Sequence, residues 1–344
     1  MRRIVVHRPG GYDRLRVESG PDPAPGPGEV LVEVEAAGVN YADCLVRMGL
    51  YATARRRVGF PITPGFEVAG RIGAVGPGVS RRSVGDRVLS MTLFDGYASR
   101  LVVPEERILP VPEGMATVEA ATFPTVFLTA WHAMFELARP EDGSAILVHS
   151  AAGGVGTALT QLGRLAGCRV VAVVGGPYKV EAARDAGADH VIDKSSENLW
   201  DQARSASPDG YAAVFDANGV TTLAGSYRSL APGGRLVVYG FHGMLPRGRG
   251  RASRLKLAWH YLRTPRFDPL RMTMTNRSVM AFNLSVLESR ARRLREGLVE
   301  LLGWYGEGRV RPAPVTTFPF DDVARAHAAL ESGRTVGKLA LVLE

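Results

Sequence analysis

The sequence predicts an α/β protein in which a doubly wound parallel sheet is inserted into a smaller, mostly β domain. Three observations carry that expectation. Short strand-like segments divided by Gly and Pro clusters fill the first hundred residues. Beyond Val118 the pattern changes to apolar strands alternating with helical stretches. Residues 339–343 are strand-like again, so the end of the chain can rejoin the first domain. At 344 residues the chain exceeds the usual size of one hydrophobic core. Two domains are therefore expected, residues 1–118 with 288–344 as one and residues 119–287 as the inserted one.

In order along the chain, strands are expected at residues 4–7, 30–36, 66–75, 87–91 and 98–104. Between the first two, the run from Pro21 to Gly28 has too many prolines for a helix, because each removes a backbone donor, and reads as an extended loop. In the second domain, strands at 145–149, 169–174, 190–193, 211–217 and 234–240 alternate with helices at 154–166, 179–186, 199–205 and 221–230. The run from Val170 to Val174 is continuously apolar, as suits a parallel strand covered on both faces.

Apolar residues supply 46% of the chain and charged residues 22%, the balance of an ordinary globular protein. The only two cysteines, Cys44 and Cys168, form no Cys-X-X-Cys pair, which argues against a disulfide framework or a multi-cysteine zinc site and suits a reducing cytoplasm. No stretch approaches the roughly 20 apolar residues of a spanning helix. The net charge of +8 is concentrated. Between Met244 and Met272, Arg247, Arg249, Arg251, Arg254, Lys256, Arg263, Arg266 and Arg271 face Asp268 alone. With no recognition motif beside that charge, nucleic acid is excluded as a partner. Residues 252–263 place Leu255, Trp259 and Leu262 at helical spacing beside basic residues. The ordinary reading is a helix packed on its own protein; a membrane surface or an acyl-phosphate ligand is the alternative, through the basic segment 247–271.

Directly after the 145–149 strand comes Ser150-Ala151-Ala152-Gly153-Gly154-Val155-Gly156, followed by a helical run. This is a Gly-X-Gly-X-X-Gly variant with Ala151 in the first glycine's place. Gly153 would let the backbone approach a pyrophosphate and Gly156 would let helix and strand pack closely. The helix N-terminus then presents free N–H groups to an anion. Ala152, Gly153, Gly154, Val155 and Gly156 are accordingly the expected dinucleotide contacts. An acid at the end of the next strand would bind the ribose of NAD. That strand runs instead into Gly175-Gly176-Pro177-Tyr178-Lys179. Gly175 leaves space for a 2′-phosphate that Lys179 and Lys194 can neutralise, so NADPH is the expected cofactor. The alternative for Lys179 is a solvated lysine at a helix start.

These segments, with others, resemble the medium-chain dehydrogenase/reductases of the quinone oxidoreductase branch. The signatures recur in family order: Ala37-Gly38-Val39-Asn40-Tyr41-Ala42-Asp43, Pro64-Gly65-Phe66-Glu67-Val68-Ala69-Gly70, Val84-Gly85-Asp86-Arg87-Val88, Thr129-Ala130-Trp131, the glycine turn, and Gly337-Lys338. The resemblance covers the whole length. It implies a Rossmann domain inserted into a GroES-like substrate domain built from both chain ends. Zinc-dependent relatives bind metal through Cys and His. Here the corresponding positions read Asn40 and Phe66, so no metal is expected.

Without a Lewis acid, simple alcohol oxidation loses its means of stabilising an alkoxide. Hydride delivered to a quinone or to the β-carbon of an α,β-unsaturated carbonyl places charge on oxygen, where hydrogen-bond donors steady it. The resemblance points to Asn40, Tyr41 and Tyr51 as catalytic candidates, with Asp43 fixing the loop. For either tyrosine the alternative is a packed aromatic with a satisfied hydroxyl. Thr125 matches a nicotinamide contact; the alternative, compatible with it, is an N-cap of the helix that begins nearby. Asn218, Tyr239 and Gly240 stand at strand C-termini, where open sheets bind ligands. The segment with Phe282 and Asn283 resembles the strand that lines the nicotinamide pocket and pairs across a homodimer. A further resemblance, to the synaptic-vesicle-membrane-protein side of this branch, keeps a second function open: a cofactor-binding protein that works at a membrane or with lipid.

Overall fold

The computed structural model describes residues 1–244, 250 and 253–343. Arg247, Arg249 and Arg251 of the basic segment lie outside the described residues. The strands in chain order are β1 (Arg2–Val5), β2 (Arg16–Ser19), β3 (Glu29–Val39), β4 (Glu67–Val75), β5 (Arg87–Met91), β6 (Arg100–Pro104), β7 (Ile108–Pro110), β8 (Ala145–His149), β9 (Arg169–Val174), β10 (His190–Asp193), β11 (Tyr211–Asp216), β12 (Leu230–Val238), β13 (Ser278–Ala281), β14 (Val315–Pro319) and β15 (Lys338–Val342). The α-helices are α1 (Tyr41–Arg47), α2 (Ala52–Arg57), α3 (Thr117–Ala120), α4 (Phe123–Trp131), α5 (Gly154–Leu165), α6 (Val180–Asp185), α7 (Leu199–Ala206), α8 (Leu223–Arg228), α9 (Arg254–Arg263), α10 (Pro269–Thr275), α11 (Ala291–Gly306) and α12 (Val323–Glu331).

The chain divides into two compact units, one holding residues 1–125, Gly250 and 291–343, the other residues 126–244 and 253–290. The boundaries fall at Thr125 and Arg290, where the sequence reading set them at 118 and 287.

In the first unit a seven-stranded sheet runs β14-β15-β3-β4-β5-β7, with β6 also paired to β3. The C-terminal strand β15 lies antiparallel to β3, Leu339 opposite Val39 and Val342 opposite Ala36. The two ends of the chain therefore build one sheet. Alternate residues Val30, Val32 and Val34 of β3 are buried, with Val68, Ile72, Leu339 and Leu341 in the same core. The short strands β2, β7 and β14 were not expected from the sequence. At three to five residues they carry too little alternation to stand out.

In the second unit six parallel strands run β10-β9-β8-β11-β12-β13. Chain order reverses between β8 and β11, so the crevice for a ligand lies at the C-terminal ends of those two strands. The core is formed by Leu147, Val171, Val173, Val214 and Leu236, all from the apolar runs seen in the sequence. β13 is an edge strand of this sheet, with β10 at the other edge.

One expectation is overturned. The basic helix α9 forms, but its apolar side chains are not packed away: Leu255 is 85%, Leu262 71% and Trp259 58% exposed. The spacing marked a helical face correctly, while the hydrophobic partner that would cover it is absent among the described residues of this chain.

Candidate active site

In the first unit the expected catalytic segment is organised by a charged pair that the sequence reading did not single out. Glu67 opens β4 with no exposed surface, and Lys338, 5% exposed, opens β15. Lys338 Nζ donates to Glu67 Oε1 at 2.8 Å, to Asn40 Oδ1 at 2.7 Å and to the Val39 carbonyl at 3.1 Å. All three ammonium protons are thereby used, as a buried cation requires. Asn40 Nδ2 donates to Glu67 Oε1 at 2.9 Å. The other oxygen, Glu67 Oε2, accepts the Thr125 N–H at 2.8 Å. Gly38 makes the room, since a Cβ there would lie 2.4 Å from Glu67 Oε1.

The consequences for the sequence expectations are specific. Both ends of the Asn40 amide are hydrogen-bonded, Oδ1 accepting from Lys338 and Nδ2 donating to Glu67, so the pair fixes the orientation of this side chain. Thr125 is not an N-cap. It lies inside α4, and Glu67, distant in sequence, accepts the N–H of that first turn. Tyr41, half-buried, is the first residue of α1, next to Asn40. Tyr51 packs edge-on against Phe66 at 5.5 Å between centroids and Phe94 at 6.2 Å. The ring of Phe66, where a ligand histidine would stand, is therefore held in an aromatic cluster. Asn40, Phe66 and Lys338 do not fit a metal ion at this place. The ring offers no lone pair and an ammonium already takes the oxygens.

Asp43 ties the two loops together. Its Oδ2 accepts the Asn40 N–H and its Oδ1 the Gly65 N–H, both at 2.8 Å. Full burial raises its carboxyl from 3.8 to about 7, against the pull of those N–H groups, the Tyr97 hydroxyl and Lys338. Behind it runs a buried polar network. Tyr97 Oη lies 3.3 Å from His327 Nε2, and Arg47 Nη1 lies 3.2 Å from His327 Nδ1. Arg47 Nη2 also pairs with Glu331 at 2.6 Å. Burial and Arg47 hold His327 well below its ordinary value, so its Nδ1 accepts from Arg47 while Nε2–H donates to Tyr97. Cys44, His327 and Glu331 have the composition of metal ligands, with donor atoms within 4.8 Å of one another. The Arg47 guanidinium already occupies their acceptors, and burial raises the Cys44 thiol, so the group is an arginine-centred core.

In the second unit the glycine turn joins β8 to α5. Gly153 caps α5 with extended backbone and no side chain caps that end among the described residues, leaving Gly154 and Val155 half-buried at the helix start. Ala151 and Ala152 are buried beneath. A Cβ on Gly156 would sit 2.2 Å from the Ser150 carbonyl oxygen, so the close approach of helix and strand needs this glycine. At the end of β9, Gly175 lies beside Lys194, whose Cε would be 3.8 Å from a Cβ there. Lys179 is half-buried nearby in sequence, its ammonium 5.6 Å from the Tyr178 ring centroid.

Asp216 holds the loop after β11. Its Oδ1 accepts the N–H groups of Asn218 and Gly219 at 2.8 and 3.1 Å, and its Oδ2 accepts Ser226 Oγ at 2.7 Å. Ser150 Oγ donates to Asn218 Oδ1 at 3.0 Å, which joins the glycine turn to this loop. Asn218 Nδ2 is buried with no acceptor among the described residues, a donor aimed where an open sheet takes its ligand. Tyr239 N–H donates to the Asp216 carbonyl, and Tyr239 and Gly240 are half-buried at the same edge. Phe282 packs at a tilt against His132, their ring centroids 4.8 Å apart. The Asn283 side-chain oxygen accepts from Ser285, so that atom serves its own turn.

The family described as alcohol dehydrogenase GroES-like domain matches residues 26–113, and the one described as zinc-binding dehydrogenase matches residues 186–341. The human synaptic vesicle membrane protein VAT-1 homolog is 33% identical over 344 residues, spanning 99% of this chain and 86% of that protein. The chain belongs to the medium-chain dehydrogenase/reductase superfamily. A mycobacterial protein complexed with NADPH superposes with a TM-score of 0.85 at 31% identity, covering 100% of each chain. Escherichia coli quinone oxidoreductase complexed with NADPH gives 0.85 at 25% identity, again over 100% of each. The superfamily's GroES-like and Rossmann folds are those seen here.

Sequence reasoning missed Glu67 and Lys338 as site residues although both lie in recognised signatures. The available signal was a lone charge at the head of an apolar strand, Glu67 before Val68-Ala69-Gly70 and Lys338 before Leu339-Ala340-Leu341.

The carboxyl of Asp43 generates a pH prediction. Its folded value of about 7 exceeds the unfolded 3.8, so the folded state holds an extra proton between them. That contribution is complete below about pH 4 and is lost as pH rises through about 7, at up to ~1.4 kcal/mol per pH unit. Denaturant unfolding of the wild type and Asp43→Asn across this range checks it. The wild type should weaken relative to the variant as pH rises. A difference independent of pH would mean that Asp43 is ionised throughout.

Proposed function

We propose that the protein is an NADPH-dependent reductase that transfers hydride, without a metal, to a quinone or an α,β-unsaturated carbonyl. The observation that carries the metal-free reading is the Lys338 ammonium held between Asn40 Oδ1 and Glu67 Oε1, with Phe66 beside it in the chain. When bound, the cofactor supplies the hydride; the chain's residues supply binding and orientation. The free N–H groups at the start of α5 suit a pyrophosphate, and Asn218 Nδ2 suits an acceptor on the same ligand. Gly175, Lys179 and Lys194 suit the 2′-phosphate, which favours NADPH over NADH.

On the first unit, the Lys338–Glu67 pair is neutral overall, so it positions Asn40 and Thr125 rather than polarising a substrate. Hydride arriving at a β-carbon leaves charge on the carbonyl oxygen, and Tyr41 at the head of α1 is the hydroxyl donor that this reading favours. Tyr51, buried among Phe66 and Phe94, contributes an aromatic wall.

NADPH oxidation with a panel of quinones, enones and enoyl thioesters, after exhaustive chelation, tests the proposal. Activity should survive chelation, and Lys179→Ala should lower the preference for NADPH over NADH about tenfold, the worth of one ~1.4 kcal/mol charged contact. Loss of activity on chelation with recovery on added zinc would refute it.

A second reading has its own observation. Leu255, Trp259, Tyr261 and Leu262 project from α9 with Lys256 and Arg263 on the same helix, which suits the surface of an anionic bilayer. Among the described residues no helix is long and apolar enough to cross a membrane. Flotation with phosphatidylserine vesicles at physiological salt decides: this reading expects co-flotation that Trp259→Ala weakens. Wild-type protein left at the bottom of the gradient removes it.

A further inference from the structure

A cavity of about 320 Å³ opens in the second unit, lined by Trp200, Arg204, Asp209, Tyr211, Arg228 and Arg277 among others. Its place in the fold separates it from the cofactor edge. Tyr211 is the first residue of β11 and Leu230, also in the lining, the first of β12. Asn218 and Gly219 follow the other end of β11. Five steps of ~3.3 Å along that strand put the two ends about 17 Å apart.

The cavity gathers positive charge with little to balance it. Arg204 comes from the end of α7, Arg228 from the end of α8 and Arg277 from the lead into β13. Asp209 is the one acid in the lining. Among the described residues Arg204 and Arg228 enter no ion pair. Arg277 Nε is buried without an acceptor, its guanidinium resting 6.0 Å from the Tyr227 ring centroid. A buried guanidinium N–H left unpaired is costly, and three like charges around one space repel each other. An oxyanion relieves both, because the guanidinium fork matches carboxylate and phosphoryl oxygens. Trp200 adds an aromatic face to the lining. Its ring also packs edge-on against His149 of β8 at 6.0 Å, so that wall is built into the sheet. The volume is that of a small-molecule site.

We propose that this cavity is a binding site for a small, multiply charged oxyanion, phosphoryl or carboxylate, distinct from the dinucleotide site and independent of the reductase reading. Titration calorimetry on the full chain, with NADPH present to fill phosphate positions at the glycine turn, uses pyrophosphate and citrate as probes. One saturable site is expected, weakened at least tenfold by Arg228→Ala and by Arg277→Met and unchanged by Arg184→Ala, an exposed arginine elsewhere. Binding of pyrophosphate alone would identify a phosphoryl ligand, and binding of both a general oxyanion site. Unchanged melting temperatures show that the variants fold, and Arg204→Ala, at an exposed position, replaces any that does not. No heat with either probe, or binding undiminished in an Arg204→Ala/Arg228→Ala double variant, would overturn the proposal.

Discussion

The buried pair of Lys338 and Glu67 is the constraint on which the first unit's site depends. Each residue opens a different strand, and each would be an unpaired buried charge without the other. Satisfying them draws in Asn40 at the head of α1 and Thr125 in the first turn of α4, so one ion pair fixes four separate parts of the chain. The pairing of β15 with β3 is what brings Lys338 there at all. Had the C-terminal strand slipped by one residue, Lys338 would face the opposite side of the sheet. A buried pair of this kind adds little net stability compared with well-packed apolar residues, and its value lies in geometry. Asp43 performs the same service one layer back through two backbone N–H groups.

The second unit solves a different problem, that of leaving donors available. The start of α5 has no capping side chain among the described residues, and Asn218 Nδ2 has no acceptor there. Such groups are costly in a finished core. Asp216 and Ser150 hold the surrounding loop so that they stay in place. A ligand edge prepared in this way fits a fold whose solved relatives include proteins complexed with NADPH.

Much of this was legible in the sequence, and the limits have physical reasons. The strands at β5, β8, β9 and β10 stand out because apolar runs end abruptly at turn residues. The glycine turn was legible because Gly156 is demanded by a local contact. Asn40 was recognised by its motif, but its bond to Lys338 was not, because that partner is 298 positions away. The alternative reading of Thr125 as a cap fails for the same reason, since the oxygen that accepts its N–H belongs to the distant Glu67. The apolar face of α9 looked like an ordinary packed helix because periodicity reports a face and not what covers it.

If the Lys338–Glu67 pair holds Asn40 and Thr125 as one unit, its two charges act together in hydride transfer. A double-mutant cycle on single-turnover NADPH oxidation tests it most directly, comparing Lys338→Met, Glu67→Gln and the double variant with the wild type. Each single variant should slow hydride transfer at least ~10-fold, and the double variant should be no slower than the worse single, because removing both charges leaves neither unpaired. Losses that simply multiply, or single variants as fast as the wild type, would mean that the two residues act independently or play no part.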